Sequence, residues 1–425
     1  MRRPARLAPS AERLIAHNLV VGVSTVAAGA LGFFMQAILS HQLMRADYGT
    51  TFTLLSLLIV IWLPSNAVML VIAQTASGDP EGERSAAIMW RWHRQLLIAG
   101  FIIAVASIVG ANWLGRFFHV PSAAIVPAAL SLPFGLVLPI LLGQLQGEQR
   151  FTRLASLLVG QAALRTLLAT VFAVRFGALG VLVGIAAANI FIYLAALAMF
   201  RRPAPGRRPL PAESKAALRS LALILPGSLA LALLFGADIL LVKHYFSAST
   251  AGLYAAMAAL GRAIFWGATG VALVLFPKVA AQASRGHHAR QLVMGSMGLC
   301  LLGGILGLSV LSLGSRLLLT AFAGAAYAEA AVYLPWYALA MTLLGAASVL
   351  VANAQAQSRS DVLGVLLPVT LLEPLLIAGF HQSLGQIVAI VLGSMALLVA
   401  GLAAVSLRAE RRRARPVIVL EGATA

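Results

Sequence analysis

Charge is scarce in this sequence, and negative charge is the scarcer sign. Asp, Glu, Lys and Arg together make up 10% of its 425 residues, against roughly a quarter in soluble globular domains. Such a chain cannot cover a water-facing surface, which excludes a soluble enzyme or soluble binding module. Acidic residues number 13 and basic residues 31, a net charge of +18. A surplus of that size suits nucleic acid or a membrane. The basic residues stand in short stretches between apolar runs and build no polar domain, so no nucleic-acid partner is expected. Cysteine is nearly absent. Cys300 is the only one and lies inside an apolar run, which excludes an intramolecular disulfide and a cysteine metal cluster. Also missing are a Walker A motif, a glycine-rich phosphate loop, a His/Asp/Glu metal constellation and any long loop able to hold a catalytic domain. No cofactor is expected, and no enzyme.

What is abundant is apolar: 60% of residues are hydrophobic and the mean hydropathy is +0.93. A helix needs roughly 20 apolar residues to cross the hydrocarbon. Runs of that kind fall at 18–43, 51–75, 95–114, 123–146, 154–174, 178–200, 218–246, 251–277, 292–315, 331–356, 362–380 and 384–407. The first follows a basic leader and is too long for the core of a cleaved signal peptide. The fold class is therefore an all-α polytopic membrane protein of about twelve transmembrane helices.

An even count puts both termini on one side. The segments on that side hold 24 Lys and Arg. Five lie opposite (Arg45, Arg116, Arg175, Lys243, Arg316), and Arg165 and Arg262 stand within spans. Cytoplasmic loops collect positive charge, so a bacterial inner-membrane protein with both termini cytoplasmic is expected. Residues 85–94 (SAAIMWRWHR) allow two readings, a helix lying in the inner interface or an extension of the third span. Pro64, Pro139, Pro226 and Pro368 interrupt spans and are candidate bending points.

Residues 201–211 (RRPAPGRRPLP) form the single connector of linker composition, at the centre of the chain. Six spans precede it and six follow. Sliding the sequence by 209 residues brings Gln144, Gln146 and Arg150 onto Asn353, Gln355 and Arg359, at the inner end of the fourth span of each half. Sliding by 203 brings His41 and Gly49 onto His244 and Gly252, at the first outer loop of each half. An internal duplication follows, with two six-helix lobes, 1–203 and 204–425, joined by a cytoplasmic linker at about 201–217. Because six is even, the repeats run parallel and their axis lies along the membrane normal, as in carriers whose halves rock about a central site.

Three stretches carry a family likeness: LSHQLMRADYGTTFTLLSLL (39–58), GQLQGEQRFTRLASLLVGQAALRTLLA (143–169), and the block at 237–280 that begins ADILLVKHYFSASTAGLYAAMAALGRAIF. A fourth piece is FAGAAYAEAAVYL (322–334). They resemble the polysaccharide (O-antigen) flippase branch of the multidrug/oligosaccharidyl-lipid/polysaccharide (MOP) exporter superfamily. The chain departs from the fourteen-helix arrangement common in that branch and lacks a charge in the core of its first span. The resemblance implies a MOP/MATE-like fold and translocation of an undecaprenyl-pyrophosphate-linked oligosaccharide for surface polysaccharide and lipopolysaccharide synthesis. Membrane lipids, a polysaccharide polymerase, glycosyltransferases and a coupling ion, proton or sodium, are the implied partners. A MATE-like ion-coupled exporter of amphipathic small molecules is the alternative.

Charges inside a membrane are costly and need a partner or a wet cavity. Asp238 and Arg262 lie at similar depth on adjacent antiparallel spans and can meet. Two roles are open: a guanidinium offered to an anionic headgroup and oriented by the carboxylate, or a static lock between spans seven and eight. Arg262 is expected to face a cavity between the lobes. Arg165 and Glu373 match in depth on the equivalent spans five and eleven, and separate local partners are favoured for them. Gln36 and Asn66, on spans one and two, are candidates for sugar contact. Gln161 and Asn189 read as helix–helix hydrogen-bonding residues.

Overall fold

A computed structural model describes residues 11–79, 82–200, 211–284 and 290–414. The N-terminal basic segment, the heart of the proposed linker (201–210) and the last eleven residues lie outside them. Among the described residues there are fourteen α-helices, one 3-10 helix and no strand. Nine helical stretches are long and apolar enough to cross a membrane. Three further passes complete the twelve. The 48-residue α7 (Phe151–Ala198) would be about 72 Å long if straight, far more than one crossing requires. It breaks at Gly177, whose φ of 55° and ψ of −139° suit only a residue without Cβ. The other two are α9 (Ala248–Ser284) and the shorter α13 (Leu363–Gly379).

The first span is α1 (Ala11–Gln42). The second is split into α2 (Arg45–Trp62) and α3 (Ser65–Ser77) at Pro64, which lacks the N–H that would continue the ladder. Pro139, Pro226 and Pro368 stay inside unbroken helices: α6 (Ser122–Gly147), α8 (Pro211–Tyr245) and α13. The third span, expected at 95–114, is instead α4 (Glu83–Val109), ended by Gly110. The following residues form a separate short helix, α5 (Ala111–Phe118). Residues 85–94 are thus the first turns of α4 and not an interfacial helix. Trp92 and His93 are buried, and His93 bonds Tyr193 at 3.2 Å. The remaining elements are α10 (Arg290–Leu313), α11 (Ser315–Ala323), the 3-10 helix Ala325–Val332, α12 (Leu334–Ala356) and α14 (Leu384–Ala414). This is a multi-pass membrane protein. We call the end of the bundle that carries the α1–α2 and α8–α9 turns the distal face, and the opposite end the basic face.

The two halves of the chain repeat local structure at the offsets seen in the sequence. At the basic face, Arg150 N–H donates to Leu145 O and Arg359 N–H to Ala354 O, both at 2.9 Å. The preceding residues, Gln149 and Ser358, have φ of 58° and 54°, a left-handed conformation uncommon outside glycine. At the distal face, Tyr48 N–H donates to Met44 O and Ala251 N–H to Ser247 O, again both at 2.9 Å. Those distal turns also touch each other. A Cβ on Gly49 would stand 2.9 Å from the Gly252 nitrogen, and a Cβ on Gly252 would overlap the Arg45 carbonyl. Gly49 and Gly252, one from each half of the chain, thus form one close backbone crossing.

Candidate functional site: a buried ion pair where the two halves meet

Near the distal face, α8 and α9 from the second half pack against α1 and α2 from the first. Close approach is built in. A Cβ on Gly261 would come 2.6 Å from Tyr337 Cδ1, so α9 can lie on α12 at this level only with glycine there. Into the resulting space, α8 brings Asp238, α9 brings Tyr254 and Arg262, α12 brings Tyr337 and α2 brings Ser56. All five are buried.

The Arg262 guanidinium spends its donors on three different helices. Nη2 bonds Asp238 Oδ1 at 2.7 Å, Nε bonds Tyr337 Oη at 3.1 Å, and Nη1 reaches Ser56 Oγ at 3.1 Å. Its plane also lies over the Phe235 ring, 4.5 Å from the centroid, a cation–π contact strengthened where water is excluded. Asp238 is equally satisfied. Its Oδ2 accepts from Tyr337 Oη at 2.8 Å and Tyr254 Oη at 2.9 Å, and its Oδ1 also accepts the Ile239 N–H at 2.7 Å. Removing two charges from water costs several kcal/mol per ion, and only good geometry with further hydrogen bonds offsets it. Here both conditions are met.

The expected meeting of Asp238 and Arg262 is therefore present, and in place of the exposure expected of a cavity-facing residue Arg262 is 3% exposed. In this conformation the guanidinium is sealed by aromatic rings and by α2. Tyr254, Tyr337 and Ser56 were not singled out in the sequence. Tyr254 lies in the block that carries the family likeness, but nothing local marks Tyr337 or Ser56 as partners.

A second layer closes the distal end above this cluster. Lys243, counted among the loop residues in the sequence, is buried and bonds Thr50 Oγ1 across the halves at 3.2 Å. Ser40 donates to Phe322 O at 3.0 Å, His244 Nδ1 meets Phe117 O at 2.6 Å, and the Arg45 guanidinium caps the Ala326 carbonyl. Tyr48 and Tyr327 stack edge to face at 6.0 Å. Burial pushes the Tyr327 hydroxyl up to about 12, against the pull of the Arg45 charge, so it stays neutral. Toward the basic face, contact between the described halves narrows to α8 against α3, with Arg91 on α4 reaching Ser214 Oγ on α8 at 3.5 Å.

Arg165 and Glu373 are not brought together, and neither forms an ion pair among the described residues. Glu373 is 0% exposed, and neither carboxylate oxygen has a hydrogen-bond partner. It shares a neighbourhood with Asp238 and Arg262 and feels the charge of both. Arg165 sits on α7 against α1, where a Cβ on Gly32 would lie 3.5 Å from its Nη2. Its Nε is unpartnered, and it forms no ion pair among the described residues. Gln36 is half-buried and accepts a long 3.4 Å bond from Tyr48 Oη. Asn66 is exposed, at the start of α3. Gln161 and Asn189 do bond between the two legs of α7, at 3.4 Å.

These placements give a first expectation. A buried ionised carboxylate without a partner costs several kcal/mol, so the neutral isostere removes nothing the fold uses. Glu373→Gln is expected to keep thermal stability within about 1 kcal/mol of the parent, read from the melting of detergent-purified protein. A loss as large as that of Asp238→Asn would mean that Glu373 has an ionic role in folding.

No protein-family model matches the sequence, and no curated protein matches it. Solved structures do. The lipid II flippase MurJ in its inward closed conformation superposes with a TM-score of 0.72 at 12% identity, covering 92% of this chain and 87% of that one. An inward-facing MATE-family multidrug resistance transporter of the MOP superfamily also gives 0.72, at 13% identity, covering 93% and 100%. This is the MOP-transporter fold. An outward-facing conformation of a MATE-family transporter of the same superfamily gives 0.65 at 13% identity, covering 94% and 95%. Identities this low carry fold alone and do not separate the flippase branch from the exporters.

Proposed function

We propose that this protein flips a lipid-linked oligosaccharide, carried on undecaprenyl pyrophosphate, from the cytoplasmic to the periplasmic leaflet of a bacterial inner membrane. The mechanism is alternating access between two lobes, 1–203 and 204–425. One observation carries it. Asp238 on α8 holds the Arg262 guanidinium so that it bonds Ser56 on α2, and Lys243 on α8 bonds Thr50, also on α2, so the distal end cannot open unless these dry bonds across the halves are broken. A bond set placed across the halves at one end acts as a gate. The higher similarity to inward-facing than to outward-facing MATE structures, 0.72 against 0.65, supports a closed distal end. The basic surplus makes that end periplasmic.

The substrate class rests on Arg165. A guanidinium at mid-span that lacks a carboxylate partner and has a glycine beside it suits bidentate contact with phosphate oxygens. Gln36 and Asn66 serve as sugar contacts on the same half. A polymerase and glycosyltransferases would consume and supply such a substrate in O-antigen synthesis. Of the two coupling ions, a proton fits Glu373 better than sodium, because its two buried oxygens have no hydrogen-bond partner and a proton needs one oxygen where a hard cation needs several. The same residue favours the second reading, a MATE-like exporter of amphipathic small molecules.

Arg165→Gln separates the two. Losing a charge-assisted contact of about 1.5–3 kcal/mol should weaken substrate binding roughly ten- to hundredfold. Flipping of a pyrophosphate-linked oligosaccharide in reconstituted vesicles should fall accordingly, with stability unchanged. Undiminished flipping would sink the phosphate contact. Extrusion of a cationic dye with no oligosaccharide movement would favour the exporter.

A further inference from the structure

The same turn is built twice at the basic face, and its polar groups meet two different fates. In the second half it is closed on itself. Asn353 Oδ1 accepts from Gln357 Nε2 at 2.6 Å, and Arg359 forks onto Asp361 with bonds of 3.2 and 2.6 Å. In the first half the corresponding turn borders a cleft of about 540 Å³, lined by Trp90, Gln144, Glu148, Arg150, Arg153 and Phe200 among others. There the polar groups are left over. Gln144 is 1% exposed and gives its amide N–H to Ser85 Oγ at 3.1 Å and Glu148 Oε1 at 2.9 Å, but its own Oε1 has no partner. The Trp90 indole N–H is also buried and unpartnered. Arg150 leans on Glu148 at 3.0 Å, and Arg153 forms no ion pair among the described residues.

We propose that this cleft binds the phosphodiester headgroup of an anionic phospholipid. Among the described lining residues, two guanidiniums stand against one carboxylate, a net positive charge that suits one phosphodiester. The free indole N–H supplies a further donor to the phosphate, and the bare Gln144 oxygen accepts a headgroup hydroxyl. Phe200 gives an apolar wall for the glycerol and the first acyl carbons. The cleft opens where α4 begins and α6 and α7 end, the level at which Trp and Arg side chains meet lipid headgroups. It lies wholly within the first half, at the opposite end of the bundle from Arg262. A lipid held there joins both ends of α7 to the first turn of α4, bracing the six helices that must move as one.

The test is thermal unfolding of the purified full-length protein in detergent with added phosphatidylglycerol, phosphatidylcholine or soluble glycerol 3-phosphate. Phosphatidylglycerol should raise the midpoint while the other two leave it unchanged. The rise should vanish in Arg153→Gln combined with Trp90→Phe. Trp90→Phe alone keeps the ring and should reduce the rise, which preserves the test if the double variant does not fold. An equal rise with phosphatidylcholine, or a full rise in the variants, would overturn the site. A rise with glycerol 3-phosphate equal to that with phosphatidylglycerol would show a free phosphate-ester site and overturn the lipid.

Discussion

Arg262→Ala is expected to lower stability by about 3 kcal/mol, the low end of the range for breaking a buried pair. The low end applies because Asp238 would keep three donors: Tyr254, Tyr337 and the Ile239 N–H. Arg262→Lys should cost less in stability and still impair transport. An ammonium can reach Asp238, but it lacks the planar fork that also holds Tyr337 and Ser56. Asp238→Asn alone should be at least as damaging as Arg262→Ala, since it strands a guanidinium that is 3% exposed. The double variant Asp238→Asn with Arg262→Gln removes both charges and is expected to recover most of the stability. Melting of purified protein and surface polysaccharide in cells read the two consequences separately. A gate predicts recovered folding with export still impaired, because a neutral pair no longer sets the balance between closed and open states. Full export in the double variant would reduce the pair to a structural one.

Gly252→Ala should have an effect of similar size through packing alone. Its Cβ would overlap the Arg45 carbonyl, a backbone atom that cannot rotate away. Overpacking of this kind typically costs about 1–3 kcal/mol. Here the cost falls on the closed state, since the clash lies between the halves and each half can relieve it by moving apart. The expected result is a protein that folds with the distal face held open, seen as faster labelling of a cysteine introduced at Thr50. Unchanged labelling together with unchanged transport would mean that the glycine crossing does not close the distal face. The same substitution at Gly32 is milder, because an added Cβ would meet the flexible end of Arg165 at 3.5 Å.

Much of this molecule is legible along the chain because bilayer insertion is governed by local properties. Twelve apolar runs and a basic surplus on one set of loops follow from composition in windows of about 20 residues. The offsets of 203 and 209 were readable because the turns they mark need particular residues. The depth match of Asp238 and Arg262 was readable because helical rise converts sequence distance into height. Misplaced boundaries share a cause too. The third span was set too late because residues 111–118 are apolar enough to extend a helix, while Gly110 ends it.

Rotation about each helix axis was not legible. In a water-soluble helix a polar face shows which side points out, but these spans are apolar all round, and their sequence does not say which face meets a neighbour. Tyr337 and Ser56 lie 75 and 206 residues from Arg262, and only packing brings them to it. For the same reason Lys243 read as a loop residue and proved buried, and Glu373 and Arg165 were expected to have local partners and form no ion pair among the described residues. Sequence alone determined the membrane class and the all-helical, many-span fold, because those depend on transfer energies summed along the chain. The tertiary structure decided which charges are paired and which stand bare, because pairing depends on helix rotation and close glycine crossings that no local window contains.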